Sequence, residues 1–204
     1  TPGTTVSPQL ISPDRNHYLF SMSLHLQKRK IGIALVDVST GEFEVTEFAL
    51  SEIQKLYDFI YQTSPQEVLL PQSRSEAESS FLEKIMQEIE KLLRIDPQTP
   101  SPTITFIDPY SFDHAVATQQ LNQHFQTLNL AGFGLDQLPY GTAAAGAILQ
   151  YLKETQKCDL SHITHIKQHS FEEFMLLDET TISNLELFKT YQELQDALVY
   201  RLQE

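Results

Sequence analysis

The sequence predicts an α/β fold in which a mixed β-sheet is flanked by helices. Three neighbouring segments in the first third of the chain carry strand patterns, and helical stripes then alternate with short apolar runs. The 204 residues are 41% hydrophobic and 20% charged, which is the composition of a chain with an ordinary buried core.

Residues 1–16 precede the first element and are predicted to be an arm or linker. Pro2, Pro8 and Pro13 deny this stretch the backbone donors that a helix or a sheet ladder needs. The chain lacks an initiator Met, which we expect of a piece cut from a longer protein.

Three strands are predicted next, joined as an antiparallel meander. Residues 18–26 alternate apolar and polar side chains, and the polar turn 27–30 follows them. Residues 31–38 are rich in Ile and Val, and the turn 39–41 separates them from a third strand that starts at Phe43.

Helices and strands then alternate. A helical stripe runs from Ile53 to Ile60 behind a predicted N-cap at Ser51, and Ser64-Pro65 ends it. A buried strand is predicted at 68–71, a second amphipathic helix at 81–93 and a strand at 103–107.

Two more helices and a short strand complete this part. A helix is predicted over 111–128 with Ala117, Leu121, Phe125 and Leu128 facing inward, followed by a helix over 142–154 and a strand over 163–168. Close packing is expected at the alanine run 143–145. Three antiparallel strands followed by alternating helices and strands are the order of a ribonuclease-H-like sheet.

The end of the chain is predicted to be a helical piece of a second domain. Residues 171–204 contain eight acids against Lys189 and Arg201, a net charge of −6. Leu187, Tyr191, Leu194, Leu198 and Leu202 form a helical stripe that needs a partner helix. We therefore divide the chain into 1–16, 17–172 and 173–204.

Charge and composition exclude several classes of protein. The formal charge of 14 − 27 = −13 disfavours independent binding of DNA phosphates. No stretch is apolar enough to span a membrane, the first residues do not form a signal peptide, and Cys158 is the only cysteine. These features predict a cytoplasmic protein without internal disulfides.

One enzymatic hypothesis follows from the predicted fold. A ribonuclease-H-like nuclease holds two metal ions with clustered carboxylates, and Asp37 and Asp108 lie at strand ends where such groups are expected. The predicted strands at 18–26 and 68–70 contain no acidic residue that could complete such a metal site. An Asp that enters a Ser-Thr-Gly turn more often caps that turn, so we prefer this interpretation for Asp37.

Two other patterns are interpreted as structural. Gly141 and Gly146 open a helix at the spacing of a phosphate loop, but the Lys and Ser/Thr of that motif are absent, so close helix packing is expected. Cys158, His162, His165 and His169 match no standard zinc spacing, and surface or capping histidines are expected instead. We predict no catalytic, metal-binding or cofactor-binding residue.

Six ordered phrases nevertheless resemble one family. They cover roughly residues 1–188: Thr1-Pro2-Gly3-Thr4, Val36-Asp37-Val38-Ser39-Thr40-Gly41-Glu42-Phe43, Gln119-Gln120-Leu121, Gly132-Phe133-Gly134, the run from Ala143 to Leu152, and the run from Leu176 to Leu187. In this order they resemble the connector domain of the MutS family of DNA mismatch-repair proteins, running into the start of the family's helical core or lever domain. After Leu187 the chain departs from the family's pattern.

The resemblance implies a non-catalytic connector. Such a connector has a ribonuclease-H-like fold, links the mismatch-binding and ATPase parts of a dimeric clamp, relays nucleotide state and docks a MutL-type partner. The fragment itself would not be an enzyme, whereas the parent would be an ATPase that uses ATP and magnesium. The other MutS domains and a second MutS subunit would also be partners of this chain, whereas mismatched DNA would be contacted only through the missing domains.

The resemblance also implies that Gln119 and Gln120 belong to the partner-docking surface. At about 100° per residue, Gln119 falls almost opposite the predicted inward stripe and Gln120 falls at its edge, so both amides are expected to reach a partner. Two other hypotheses remain open: the metal-dependent nuclease that uses Asp37 and Asp108, and a nucleotide-binding switch.

Overall fold

The structure is a computed structural model that describes residues 17–73, 75–93, 101–156 and 160–171. All of its helices and strands belong to one unit that ends at His169. The predicted arm 1–16 and the predicted helical piece 173–204 lie outside the described residues. The boundary at 172/173 therefore stays a prediction.

Six strands form one mixed sheet in the order β5-β4-β1-β2-β3-β6. The strands are β1 (Tyr18–His25), β2 (Lys30–Asp37), β3 (Phe43–Ala49), β4 (Glu67–Pro71), β5 (Thr103–Ile107) and β6 (Lys167–Gln168). Strand β2 is antiparallel to β1 and β3, whereas β1, β4 and β5 run parallel, as do β3 and β6. The predicted meander and the ribonuclease-H-like order are thus confirmed.

Among the residues that the structure describes, four α-helices flank this sheet. They are α1 (Gln54–Thr63), α2 (Glu76–Leu93), α3 (His114–His124) and α4 (Pro139–Gln156). The core on one face contains Phe20, Met22 and Ile33 with apolar residues of α1 and α2. The core on the other face joins Leu19, Ala34 and Val36 to α3 and α4.

Helix α4 packs closely against strand β2 and helix α3 because small residues meet at both contacts. A Cβ placed on Gly32 of β2 would come 2.0 Å from the Tyr140 carbonyl carbon, and one on Gly146 would come 2.3 Å from the Ala117 Cβ. The predicted close packing of the alanine run and of Gly146 is therefore confirmed, since Ala143, Ala144 and Ala145 are all buried.

Several predicted element ends are wrong, and local contacts explain the differences. Ser51 does not cap α1, because a 3₁₀ turn at Leu50–Glu52 precedes the helix and no side chain caps it. At that turn, the Glu52 carboxylate accepts a hydrogen bond from the Ala49 amide at 3.2 Å. Residues 111–112 belong to a second 3₁₀ turn, because Asp113 caps α3 by accepting from the amides of Ala115 and Val116. The final strand has only two residues.

The last residue of the predicted inward stripe is also wrong. Helix α3 stops at His124, and Gln126 has a left-handed φ of 52°, which turns the chain away from the helix axis. Ala117 and Leu121 are buried as predicted, Phe125 is half-buried, and Leu128 is 97% exposed. Leu128 therefore does not face inward.

Candidate docking surface and other candidate sites

Gln119 and Gln120 lie on α3, on the side of the sheet that α4 also covers. The Gln119 side chain is exposed, as expected from its position opposite Ala117 and Leu121. Gln120 is only half-buried: its Nε2 donates to Oε1 of Gln150 on α4 at 3.5 Å, and its Oε1 is buried without a hydrogen-bond partner among the described residues. The Gln119 amide is therefore open to solvent, whereas the Gln120 amide is held against α4.

The Gln120 contact continues along α4. Gln150 Nε2 donates to Oε1 of the exposed Glu154 at 3.0 Å. Sequence reasoning missed Gln150 and Glu154 because they lie 30 and 34 positions from Gln120 and only the α3–α4 packing brings them together. Their spacing of four on one helix was the only available signal.

Asp37 and Asp108 lie at opposite ends of the sheet. Asp37 is level with Tyr18, whereas Asp108 follows Ile107, the last residue of a strand that runs parallel to β1. The register separates them by six residues, which is about 20 Å along the strands at about 3.3 Å per residue. A nuclease of this type needs carboxylates that reach two metal ions about 4 Å apart. Asp37 and Asp108 are too far apart to bind the same pair of ions, so the nuclease hypothesis for these two residues is wrong.

Both aspartates instead satisfy backbone amides. Asp37 Oδ1 accepts from the Ser39 amide at 2.8 Å and from the Ser39 hydroxyl at 2.6 Å. Burial raises the pKa of Asp37, but the hydrogen bonds from Ser39 and from nearby backbone amides outweigh burial, and the pKa is lowered. Asp108 Oδ1 accepts from the Tyr110 amide at 2.8 Å. The preferred interpretation of Asp37 as a turn cap is confirmed.

The histidines that were candidates for a zinc site point to three different places. His162 Nε2 donates to the Val38 carbonyl at 3.0 Å, and the His165 ring lies 5.4 Å from that of Phe133. His169 is 8% exposed and bonds the Glu44 side chain, so it is neither the surface nor the capping histidine that was expected. Cys158 lies outside the described residues, and the part of the chain that the structure describes contains no group of three metal-ligating side chains.

His169 belongs to an ion-pair cluster that holds the short strand β6. Glu44 accepts from His169 Nδ1 at 2.7 Å and pairs with Lys167 Nζ at 2.9 Å. The His169 bond, with Lys167 assisting and burial opposing, lowers the pKa of Glu44 to about 2. The Phe59 ring lies 4.7 Å from the His169 ring, and the His169 amide donates to the Val45 carbonyl at 2.8 Å.

A buried carboxylate joins α4 to the sheet. Glu67 has no exposed surface, and its Oε1 accepts from the Tyr151 hydroxyl at 2.6 Å and from the Thr105 hydroxyl at 2.7 Å. Burial and the neighbouring Glu67 raise the pKa of Tyr151 to about 12, so this hydroxyl stays a proton donor at neutral pH. The contact fixes α4 against β4 and β5.

A cleft of about 270 Å³ lies beyond the carboxyl ends of β1 and β4, where α/β proteins commonly bind ligands. Its lining includes Ser23, His25, Asp113 and Tyr140. Ser23 Oγ donates to the Tyr140 carbonyl at 2.7 Å, Asp113 caps α3, and the His25 ring lies 5.1 Å from that of Tyr140. These groups are engaged within the fold, and we assign no chemistry to the cleft.

Among the residues that the structure describes, no helix has the length and apolar character needed to cross a lipid bilayer.

Comparison with known proteins gives a consistent family. A family model described as MutS domain II matches residues 17–164. The DNA mismatch repair protein MutS of Dehalococcoides mccartyi is 35% identical over 190 residues, covering 93% of this chain and 20% of that protein. The MutS of Salinibacter ruber is 35% identical over 195 residues, covering 95% of this chain and 20% of that protein. The chain thus spans about a fifth of the length of these relatives.

Two solved structures have a lower similarity. One is a Fowlpox virus resolvase in complex with Holliday junction DNA, with a TM-score of 0.45 and 11% identity over 67% of this chain and 97% of the resolvase. The other is T. thermophilus RuvC with a Holliday junction substrate, with a TM-score of 0.41 and 10% identity over 69% of this chain and 97% of RuvC.

Proposed function

The chain belongs to the MutS family of DNA mismatch repair proteins, and on that premise we propose that it is the family's connector, a non-catalytic module that docks a MutL-type partner. The module also links the mismatch-binding and ATPase parts of the parent and relays nucleotide state between them. The observation that carries the docking role is the exposed amide of Gln119 beside the half-buried amide of Gln120 on α3.

The packing of the fold supports the mechanical role. Where α4 crosses β2 and α3, backbone and small side chains are in direct contact, and the buried Glu67–Tyr151 bond joins the same helix to the sheet. Interiors packed in this way have low compressibility and transmit a displacement instead of absorbing it. We therefore propose that a displacement applied at one end of the module is transmitted to its other end.

The chemistry of the parent is proposed to lie outside this chain. ATP hydrolysis with magnesium and contact with mismatched DNA belong to the four fifths of the relatives' length that the chain does not span. The other MutS domains and a second MutS subunit are proposed as further partners of this chain. The separation of Asp37 from Asp108 supports a connector without a nuclease centre. We place the protein in the cytoplasm with its parent.

The docking role is tested by binding of a purified MutL-type protein from the same organism to the immobilised chain. We expect Gln119→Ala and the double variant Gln119→Ala/Gln120→Ala to weaken binding by about 3- to 10-fold, because an interfacial hydrogen bond contributes about 0.5–1.5 kcal/mol.

Gln87→Ala is the matched control, since Gln87 is an exposed helical glutamine on α2. It should leave the affinity unchanged, and circular dichroism should show that all three variants are folded. Equal affinity of the double variant and the parent sequence would remove both glutamines from the docking surface.

A further inference from the structure

Strand β5 forms one edge of the sheet, and its outer side carries backbone groups without a strand partner. Among the described strands it pairs only with β4. The Thr103 amide and the Ile107 carbonyl each bond a backbone group that flanks β4, both at 2.9 Å. Because alternate residues of a parallel strand bond the same neighbour, the amides and carbonyls of Ile104 and Phe106 point away from β4.

The side chains of β5 leave this edge open. Strand alternation places Ile104 and Phe106 on one face of the sheet and Thr105 on the other, where Thr105 bonds the Glu67 carboxylate. Phe106 is 45% exposed and Ile104 is half-buried. The strand contains neither a charged residue nor a proline, which are the residues that usually protect a sheet edge from pairing. Strand β5 therefore offers another strand both backbone groups and apolar surface.

A second copy of β5 fits this edge in one antiparallel register. When Ile104 of each copy faces Phe106 of the other, every outward amide and carbonyl of these two residues gains a partner. Thr105 of one copy then faces Thr105 of the second copy across a twofold axis, as a non-hydrogen-bonded pair. The two Ile–Phe contacts are cross-strand pairs of a β-branched and an aromatic side chain, a combination that stabilises sheets.

The ends of the strand are compatible with the same register. Pro102 would face Asp108, and Pro102 has no N–H, while the Asp108 carbonyl already accepts from the Ser111 amide at 2.9 Å. No acid is placed opposite another acid along the paired strands. Each copy has a formal charge of −13, but repulsion between exposed charges is largely screened beyond about 8 Å at physiological salt.

We infer that β5 is an interface at which two copies of this chain pair antiparallel, so that their sheets join into one. The contact uses the same edge on both copies and therefore closes at a dimer. Five paired residues extend only about 17 Å, a small contact beside the roughly 1,600 Å² of a standard interface, so the dimer is weak and concentration-dependent. The inference does not use Gln119 or Gln120, so it can fail while the docking role stands.

Register-specific cross-linking of the full chain tests this pairing. In a Cys158→Ser background, Thr105→Cys places two thiols on residues whose Cα atoms are about 4.5 Å apart, which is within disulfide range. Mild oxidation should therefore give a covalent dimer. Thr103→Cys is the matched control, because its two thiols would lie about 13 Å apart along the strands.

Sedimentation equilibrium of the full chain measures the same contact without a cross-link. We expect Phe106→Lys to weaken self-association about tenfold, because it removes both Ile–Phe pairs of the dimer and introduces charge at the edge. Tyr61→Lys is the control, since it makes the same kind of change at a 54% exposed aromatic residue of α1. Circular dichroism should show that all variants are folded.

The outcomes decide between this edge and any other contact. Cross-linking of Thr105→Cys but not of Thr103→Cys, with weaker association of Phe106→Lys alone, supports the inference. A chain that stays monomeric at its highest soluble concentration overturns it. Self-association that Phe106→Lys leaves unchanged, or equal cross-linking at both positions, overturns it as well. If Thr105→Cys does not fold without its bond to Glu67, the comparison of Phe106→Lys with Tyr61→Lys decides.

Discussion

Gly146 lies where α4 crosses α3, and no side chain can be added there without moving a helix. An added Cβ would meet the Ala117 Cβ at 2.3 Å and the Ala117 Cα at 2.6 Å. We therefore predict that Gly146→Ala lowers the free energy of unfolding by about 1–3 kcal/mol, even though alanine has the higher helix propensity. Urea denaturation measures this change.

Gly132 provides the matched control, because no atom lies within 4 Å of the position where its Cβ would be. Gly132→Ala should change the free energy of unfolding by less than about 0.5 kcal/mol. Combining Gly146→Ala with Ala117→Gly should recover part of the loss, since one of the two clashing atoms is removed. Similar stabilities for Gly146→Ala and Gly132→Ala would show that the helices are not in contact at this point.

At this scale the sequence predicted individual environments well when a local pattern decided them. The Ser-Thr-Gly turn after Asp37 predicted a capping carboxylate, and the structure confirms it. Glu67 and Glu44 could not be assigned, because their partners Tyr151 and His169 are 84 and 125 residues away. Such long-range pairs depend on the packing of whole elements.

The position of strand β6 beside β3 is stabilised mainly by one carboxylate, that of Glu44, because the strand itself is short. Its two residues pair with β3, and Glu44 bonds both Lys167 and His169. The pKa of Glu44 is lowered to about 2 from an ordinary value of 4.5, so folding favours the charged form. The stability that it contributes is complete above about pH 4.5 and is lost as the pH falls toward 2.

We predict that Glu44→Gln lowers the free energy of unfolding by about 2–3 kcal/mol at pH 6, and that the difference from the parent sequence shrinks between pH 4.5 and pH 2. Urea denaturation at several pH values measures this. Glu42→Gln, at an exposed position two residues away, should show no such convergence. A difference that stays constant over this pH range would mean that the charge of Glu44 does not hold β6.

The elements themselves were predicted in the right order, but their ends were not. The α3 prediction ran on to Leu128 because the apolar spacing continues, whereas the left-handed Gln126 ends the helical region earlier. The last strand was predicted over six residues and has two, because its contact with β3 covers only Glu44 and Val45. Periodicity in the sequence shows which residues could be buried, but the packing of neighbouring elements determines which residues are buried.

At the largest scale, the described part of the chain is one sheet flanked by helices, and the full sequence has a formal charge of −13. Its ribonuclease-H-like sheet consists of the three-strand meander, the parallel strands β4 and β5 on the β1 side and the short β6 beside β3, and the family supports this order. The contact between α3 and α4 is a property of the assembled fold, since Gln120 Nε2 can donate to Gln150 Oε1 only after both helices pack on the sheet. We propose that the α3 surface around Gln119 and Gln120 docks the partner.

Hydrogen–deuterium exchange of the full chain, with and without a saturating MutL-type protein, tests that claim most directly. We predict slower exchange over residues 119–123 of α3, and unchanged exchange in α1 and α2 on the opposite face. Protection confined to α1 and α2, or no protection anywhere at saturation, would contradict the account.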